Sequence, residues 1–196
     1  VIIQSLDNSI DLECRANHRG SAFGRRQTPQ PTAVSFECAL AVDYLQHKGR
    51  NLVVEDESRT IGSVGLPQAW HQHMQQADIA LVESSTEQRV AHIEQEYVVD
   101  ALREAAAHGL TPDDVHQSYE LALTRIGKRL GGLRLGELKK LLQQAFAGQC
   151  SHQAWISYLL REYYDPMYDY QLNKKQQRIR FRGNAAEVAE FLSALN

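Results

Sequence analysis

Cysteine is scarce in this chain: Cys14, Cys38 and Cys150 are the only three in 196 residues, far apart and in no C-x-x-C pair. An odd, scattered set builds neither a disulfide framework nor a zinc ribbon, and it fits a reducing compartment. Long apolar runs are missing as well. None approaches the roughly 20 residues that cross a bilayer, and the opening residues lack the order of a signal peptide, so the reading is a soluble, cytoplasmic protein with no membrane partner. Nor does one sign of charge dominate, since 21 Lys and Arg face 24 Asp and Glu for a formal net charge of -3. Affinity for a polyanion grows with the number of cations that displace counterions, so an indiscriminate nucleic-acid binder is excluded and only local basic patches remain. Of eight histidines only His71 and His73 are close. On a helix that spacing points the rings about 200° apart, which reads as exposed helix rather than a metal site.

What is present is ordinary for a folded domain: 43% hydrophobic and 23% charged residues, over a length that fits one domain with a small appendage. Ser9 to Glu13 reads as a short strand ending in acid, followed by a polar loop from Asn17 to Pro31. Thr32 is placed to cap a helix to about His47, with Phe36, Leu40 and Tyr44 on one stripe and Gly49 as its stop. Leu52-Val53-Val54 reads as a strand buried inside a parallel sheet, Pro67 as the first position of a helix with Trp70 and Met74, and Ile79 to Val82 as a second buried strand. Ser84 to Glu87 has capping-box spacing before a long helix carrying Val90, Ile93, Tyr97 and Ala101, closed near Gly109. These features predict an α/β portion over 1–109, its strands at 11–12, 52–54 and 79–82 parallel and near neighbours.

The remainder, 110–196, reads as a mainly helical subdomain. Thr111-Pro112-Asp113-Asp114 starts a helix with Val115, Tyr119, Ala122 and Ile126 inward. Leu135, Leu138, Leu142 and Phe146 mark another, and Ser151 opens a third with Trp155, Tyr158 and Leu159, expected to end before Pro166. Arg178 to Arg182 alternates strictly, a half-buried strand with three guanidiniums on one face, and Asn184 caps a last helix.

Two segments could carry chemistry. Leu52 to Glu57 resembles a Walker B strand, in which a carboxylate at the carboxyl end, here Glu55 or Asp56, holds Mg²⁺; acids simply leaving a buried strand for water explain it equally well. Asn17-His18-Arg19-Gly20-Ser21 and the residues to Arg26 combine glycines, a hydroxyl and guanidiniums, which suits phosphate oxygens but also describes a solvated loop.

The blocks Asp11-Leu12-Glu13, Ala16 to Gly24, Val34 to Glu37, Val54 to Arg59 and Ile61-Gly62, with Glu162 to Tyr168 and Phe181 to Gly183, together resemble the bacterial tRNA 2-selenouridine synthase family. The resemblance implies a parallel-sheet, P-loop NTPase-like α/β domain that handles tRNA and geranyl pyrophosphate, following a rhodanese domain that bears the reactive cysteine. The implied reaction replaces sulfur by selenium in wobble 2-thiouridine, with selenophosphate as donor and an S-geranylated intermediate. No G-x-x-x-x-G-K-[ST] and no rhodanese segment occur in these residues, and Gly127-Lys128-Arg129 lacks the spacing. The expectation is therefore the C-terminal part of a larger enzyme, inactive alone in selenium transfer, with Val1 to Gln4 as the tail of the P-loop helix. None of the three cysteines matches a nucleophile position, so the catalytic residue stays unassigned.

On this reading Asn17, His18, Arg19, Gly20, Ser21 and Arg25 hold pyrophosphate, Glu55 and Asp56 position Mg²⁺, and no organic prosthetic group is needed. Arg125, Lys128 and Arg129 share a helix face. Lys174, Lys175, Arg178, Arg180 and Arg182 follow Tyr163, Tyr164, Tyr168 and Tyr170. Cations interleaved with aromatics suit a single-stranded target such as an anticodon loop, while helix-dipole compensation and edge-strand protection explain the same residues. The rivals are a small-molecule kinase or NTPase and a non-catalytic tRNA-binding module.

Overall fold

The structure, a computed structural model, describes residues 2–195. In chain order its elements are α1 (Leu12–Ala16), α2 (Ala33–Gln46), β1 (Thr60–Ile61), β2 (Val64–Gly65), α3 (Gln68–Met74), β3 (Ile79–Val82), α4 (Thr86–Glu94), α5 (Ala101–Ala107), α6 (Pro112–Leu130), α7 (Gly132–Phe146), α8 (His152–Leu159), α9 (Asp165–Lys175), β4 (Ile179–Gly183) and α10 (Ala185–Ser193). The result is a mostly helical α/β protein with a small parallel sheet. It divides into two compact units, one formed by the residues up to Ser84 together with those from Lys175 onward, the other by Ser85 to Lys174.

In the first unit β3 and β4 pair in parallel, Ile79 with Ile179 through Val82 with Gly183, with one irregularity between Ile79 and Ala80. Ser9 and Val53 form a separate parallel bridge, in which Ile10 N–H donates to Val53 O and Val53 N–H to Asn8 O. Around these lies a core of Ile10, Leu12, Phe36, Leu40, Ile61 and Met74, with Leu52, Val54 and Trp70 packed against it. Each such side chain, fully buried, stabilises the unit by about 1.5–3 kcal/mol.

Several expectations are corrected here. Asp11 and Leu12 are not a strand: Asp11 Oδ1 accepts Cys14 N–H at 2.7 Å, so the carboxylate that was read as a strand end caps α1. Leu52 to Val54 and Ile79 to Val82 are not partners, because β3 pairs with the late strand β4 and Val53 with Ser9. Neither run is fully buried. Tyr44 leaves the core stripe of α2, 55% exposed and edge-on to Trp70. Pro67 is the cap of α3 rather than its first residue.

The second unit is helical. Val115, Tyr119, Ala122 and Ile126 form the buried stripe of α6, which packs on α7, and α7 packs on α8. Tyr119 O–H donates to Tyr97 O, and Trp155 Nε1–H to His152 Nδ1 at 3.0 Å, so the polar tips of two buried rings are satisfied. The capping box of α4 is Ser85 with Gln88 rather than Ser84 with Glu87: Ser85 Oγ accepts Gln88 N–H at 3.2 Å and Gln88 Oε1 accepts Ser85 N–H at 3.1 Å. π-helical turns at Gln95–Asp100 and Leu160–Tyr164 join α4 to α5 and α8 to α9. The second turn overturns the expected stop before Pro166. Asp165 N–H reaches back to Leu160 O, widening the helix by one residue, and the helix runs on through Pro166 into α9.

Candidate functional site

The loop after α1 is built to turn back on itself. Asn17 takes a left-handed conformation, φ 49°, closes α1, and donates through Nδ2 to Thr28 Oγ1 at 2.7 Å. Arg19 N–H donates to Gly24 O at 2.9 Å, and Gly24 N–H to Ser21 O at 3.0 Å. Phe23 N–H donates to Ser21 Oγ at 3.2 Å, leaving the Ser21 O–H as a donor. His18 and Arg19 are buried and Arg25 is exposed. Burial, then the neighbouring Arg19 and Arg26, hold the His18 pKa below its ordinary value, which favours the neutral ring.

Beneath this loop lies an acidic floor. Gly20 has φ 68°, and a Cβ there would lie within 2.6 Å of Glu57 Oε1 and closer still to Glu13 Oε1, so only glycine fits. Burial pushes Glu57 up from the ordinary carboxylate range, and a hydrogen bond with Glu13 partly offsets it. Glu55 Oε2 accepts Leu12 N–H at 3.0 Å; burial drives its pKa up to about 7, against the pull of that N–H and with Asp11 adding to the rise. Glu13 and Glu57 were not among the expected site residues. Their signal was the i, i+2 spacing of Asp11 with Glu13 and of Glu55 with Glu57. Gln30 fastens the rim, donating to Ala16 O at 2.8 Å and Ile61 O at 3.0 Å while accepting Ser63 N–H at 2.7 Å.

The loop thus meets Glu13 and Glu57, while Asp56 is bound to Lys175 Nζ at 2.5 Å. Among the described residues no group of three or more His, Cys, Asp or Glu side chains is placed to hold a metal ion. A Mg²⁺ here would have to share its coordination with ligand phosphates and water.

The basic residues divide by partner. Arg178 donates to Ala77 O and Met74 O, both at 2.7 Å, closing the carbonyl end of α3. Arg180 pairs with Asp78 at 2.9 Å and Arg182 with Glu83 at 3.4 Å, so the alternating arginines of β4 face acids flanking β3. Lys174 lies 4.1 Å over the Tyr170 ring. Arg125, Lys128 and Arg129 are exposed on the last turns of α6 and make no ion pair among the described residues. Tyr163 is edge-on to Tyr164, which stacks on Tyr168. Cys14 and Cys38 are exposed thiols and Cys150 is half-buried; all three are free. Among the described residues no helix is long and apolar enough to cross a membrane.

The family model described as the tRNA 2-selenouridine synthase AAA domain matches residues 1–196. Proteins named tRNA 2-selenouridine synthase are similar to the chain: that of Pseudomonas paraeruginosa is 45% identical, covering 97% of this chain and 55% of the relative. That of Sulfurovum sp. is 41% identical, covering 98% and 56%, and that of Cupriavidus necator is 42% identical with the same coverage. The chain therefore spans little more than half the length of these relatives. No solved structure matches.

Proposed function

The chain belongs to the tRNA 2-selenouridine synthase family, and on that footing we propose that it is the portion of such an enzyme that binds tRNA and a pyrophosphate-bearing co-substrate during conversion of wobble 2-thiouridine to 2-selenouridine. The co-substrates in this reading are geranyl pyrophosphate and selenophosphate, and the fold it implies is P-loop-like. The observation that supports it most directly is local: the blocks 11–24, 55–57 and 61–63, distant in sequence, gather around Gly20 and Gln30 in one unit.

The exposed Arg25 and the Ser21 hydroxyl are the groups free to meet pyrophosphate oxygens, with the buried His18 and Arg19 shaping the loop beneath them. Glu55, at the carboxyl end of the 52–54 run, is the carboxylate that would meet Mg²⁺ brought in with the pyrophosphate. Neutralising pyrophosphate stabilises it as a leaving group, which is the electrostatic half of an alkyl transfer to sulfur. The unpaired cations Arg125, Lys128 and Arg129 are the best placed for RNA phosphates, since those of β4 already have acidic partners.

The reading is tested in the full-length enzyme by measuring geranyl pyrophosphate and tRNA affinities separately. Arg25→Ala is expected to weaken pyrophosphate binding by about tenfold, one lost charge-assisted contact, with tRNA affinity little changed. Replacing Arg125, Lys128 and Arg129 together should do the reverse, reducing the salt dependence of tRNA affinity by a slope of roughly 0.7–0.9 per lost phosphate contact. If both variants leave both affinities at wild-type values, the proposal fails.

A further inference from the structure

Helix α9 differs from the other helices of the second unit, each of which buries at least one side chain. None of the 11 residues of α9 is buried. An amphipathic helix covers an apolar stripe, whereas this one turns its tyrosines outward: Tyr168 and Tyr170 are 56% and 58% exposed. The rings are ordered. Tyr163 lies edge-on to Tyr164 with centroids 5.1 Å apart, and Tyr164 stacks on Tyr168 at 6.2 Å with 25° between the planes. The row therefore runs from two half-buried rings to an exposed one, a surface on which a further flat ring can stack.

The turn that carries these rings is fastened to the helices whose cations face solvent. Arg134 of α7 pairs with Glu162 at 2.9 Å, Tyr158 O–H donates to Glu137 of α7, and α7 packs on α6. Positive charge is concentrated on that pair of helices. Residues 121–150 hold six Lys and Arg against one acid, Glu137, while the rest of the chain holds 15 against 23. Lys140 of α7 is exposed and, like Arg125, Lys128 and Arg129 of α6, makes no ion pair among the described residues. Phosphates belong on these cations. The tyrosine row suits an uncharged group instead, because Glu162 and Asp165 are already held by Arg134 and Arg89, and Asp169 is exposed beside the rings. In RNA the flat, uncharged group is the face of a base, and it reaches a tyrosine only where the base has left its own stack.

On the footing that α6 meets RNA, we propose that the second unit binds a single-stranded segment in two parts, phosphates on α6 and α7 and one unstacked base on the Tyr168 ring. Tyr164 backs that ring, and Lys140 extends the phosphate track beyond α6. Stacking tolerates any base, so the Tyr168 subsite selects an unpaired segment over a duplex rather than a sequence.

The test is to titrate the full-length enzyme with tRNA, and separately with a fully paired RNA duplex, at several salt concentrations. Tyr168→Ala should weaken tRNA binding by about tenfold, the loss of one stacked base, with the salt slope and the duplex affinity unchanged. Tyr168→Phe keeps the ring and should bind as wild type. Lys140→Gln should instead lower the tRNA salt slope by roughly 0.7–0.9. Both positions are exposed, so the core is untouched. Wild-type tRNA affinity in Tyr168→Ala, an equal loss on the duplex, or a Tyr168→Phe variant as weak as Tyr168→Ala would overturn the base subsite. If replacing Arg125, Lys128 and Arg129 still weakens tRNA binding in that case, the α6 reading stands without it, and the exposed tyrosines are left to a protein partner.

Discussion

Glu55 is a carboxylate that burial has carried far from its ordinary titration. Its pKa of about 7 lies above the ordinary carboxylate value of 4.5, chiefly through burial, so the folded state holds a proton that the unfolded chain gives up earlier. A raised acid pKa contributes stability that is full below the unfolded value and is lost as pH rises through the folded one. Between about pH 4.5 and 7 the protein should therefore become less stable as pH rises, with Glu57, raised in the same direction, adding to the slope. Glu55→Gln keeps an acceptor for Leu12 N–H but cannot ionise. Urea unfolding at a series of pH values should show a flatter profile for this variant, and a slope equal to wild type would mean that Glu55 is not the group responsible. This behaviour was not legible in the sequence, where Glu55-Asp56-Glu57 looks like acid leaving a strand. Only the fold tells that 55 and 57 turn inward to Leu12 and Gly20 while 56 turns out to Lys175.

Helix α2 separates core from surface along a single element. Phe36 and Leu40 are fully buried, whereas Val34, Val42 and Leu45 are 71%, 51% and 81% exposed. Leu40→Ala should cost about 2–5 kcal/mol of stability, and Leu45→Gln should stay within about 0.5 kcal/mol of wild type, as surface substitutions do; denaturant midpoints of the two variants check the contrast. The elements readable in advance were those with a local signature. Thr32, Thr111 and Asn184 cap as their side-chain chemistry dictates, β3 occupies Ile79 to Val82 as its short apolar run suggests, and β4 alternates as its arginines do. The misread elements were those decided elsewhere in the molecule. Asp11 caps a helix because Glu55, 44 positions away, holds the next amide, and Pro166 stays helical because a π turn before it had already shifted the register. In the candidate site the loop residues stood out by composition, whereas Glu13 and Glu57 needed the approach of Gly20 to be noticed.

At the scale of the whole molecule, the pairing of β3 with β4 joins Ile79–Val82 to Ile179–Gly183 across the entire second unit. Each unit carries one tryptophan, Trp70 in the first and Trp155, 2% exposed, in the second. Ending the chain at Lys174 removes β4 and α10 and leaves β3 without its ladder. Single-tryptophan versions of this truncated chain should show Trp70 emission shifted toward that of the unfolded protein while Trp155 keeps its buried spectrum; loss of both signals together would show that the units do not unfold separately. The same pairing fixes an order of events during synthesis. A chain leaves the ribosome amino end first, and domains generally acquire structure in the order they emerge. Here β3 must wait for β4, so the helices of Ser85 to Lys174 can be complete while the parallel pair that closes the first unit is still unformed. During that interval the 79–82 run lacks its partner strand, and an attending chaperone would find its binding site in a segment translated before the helices that follow it.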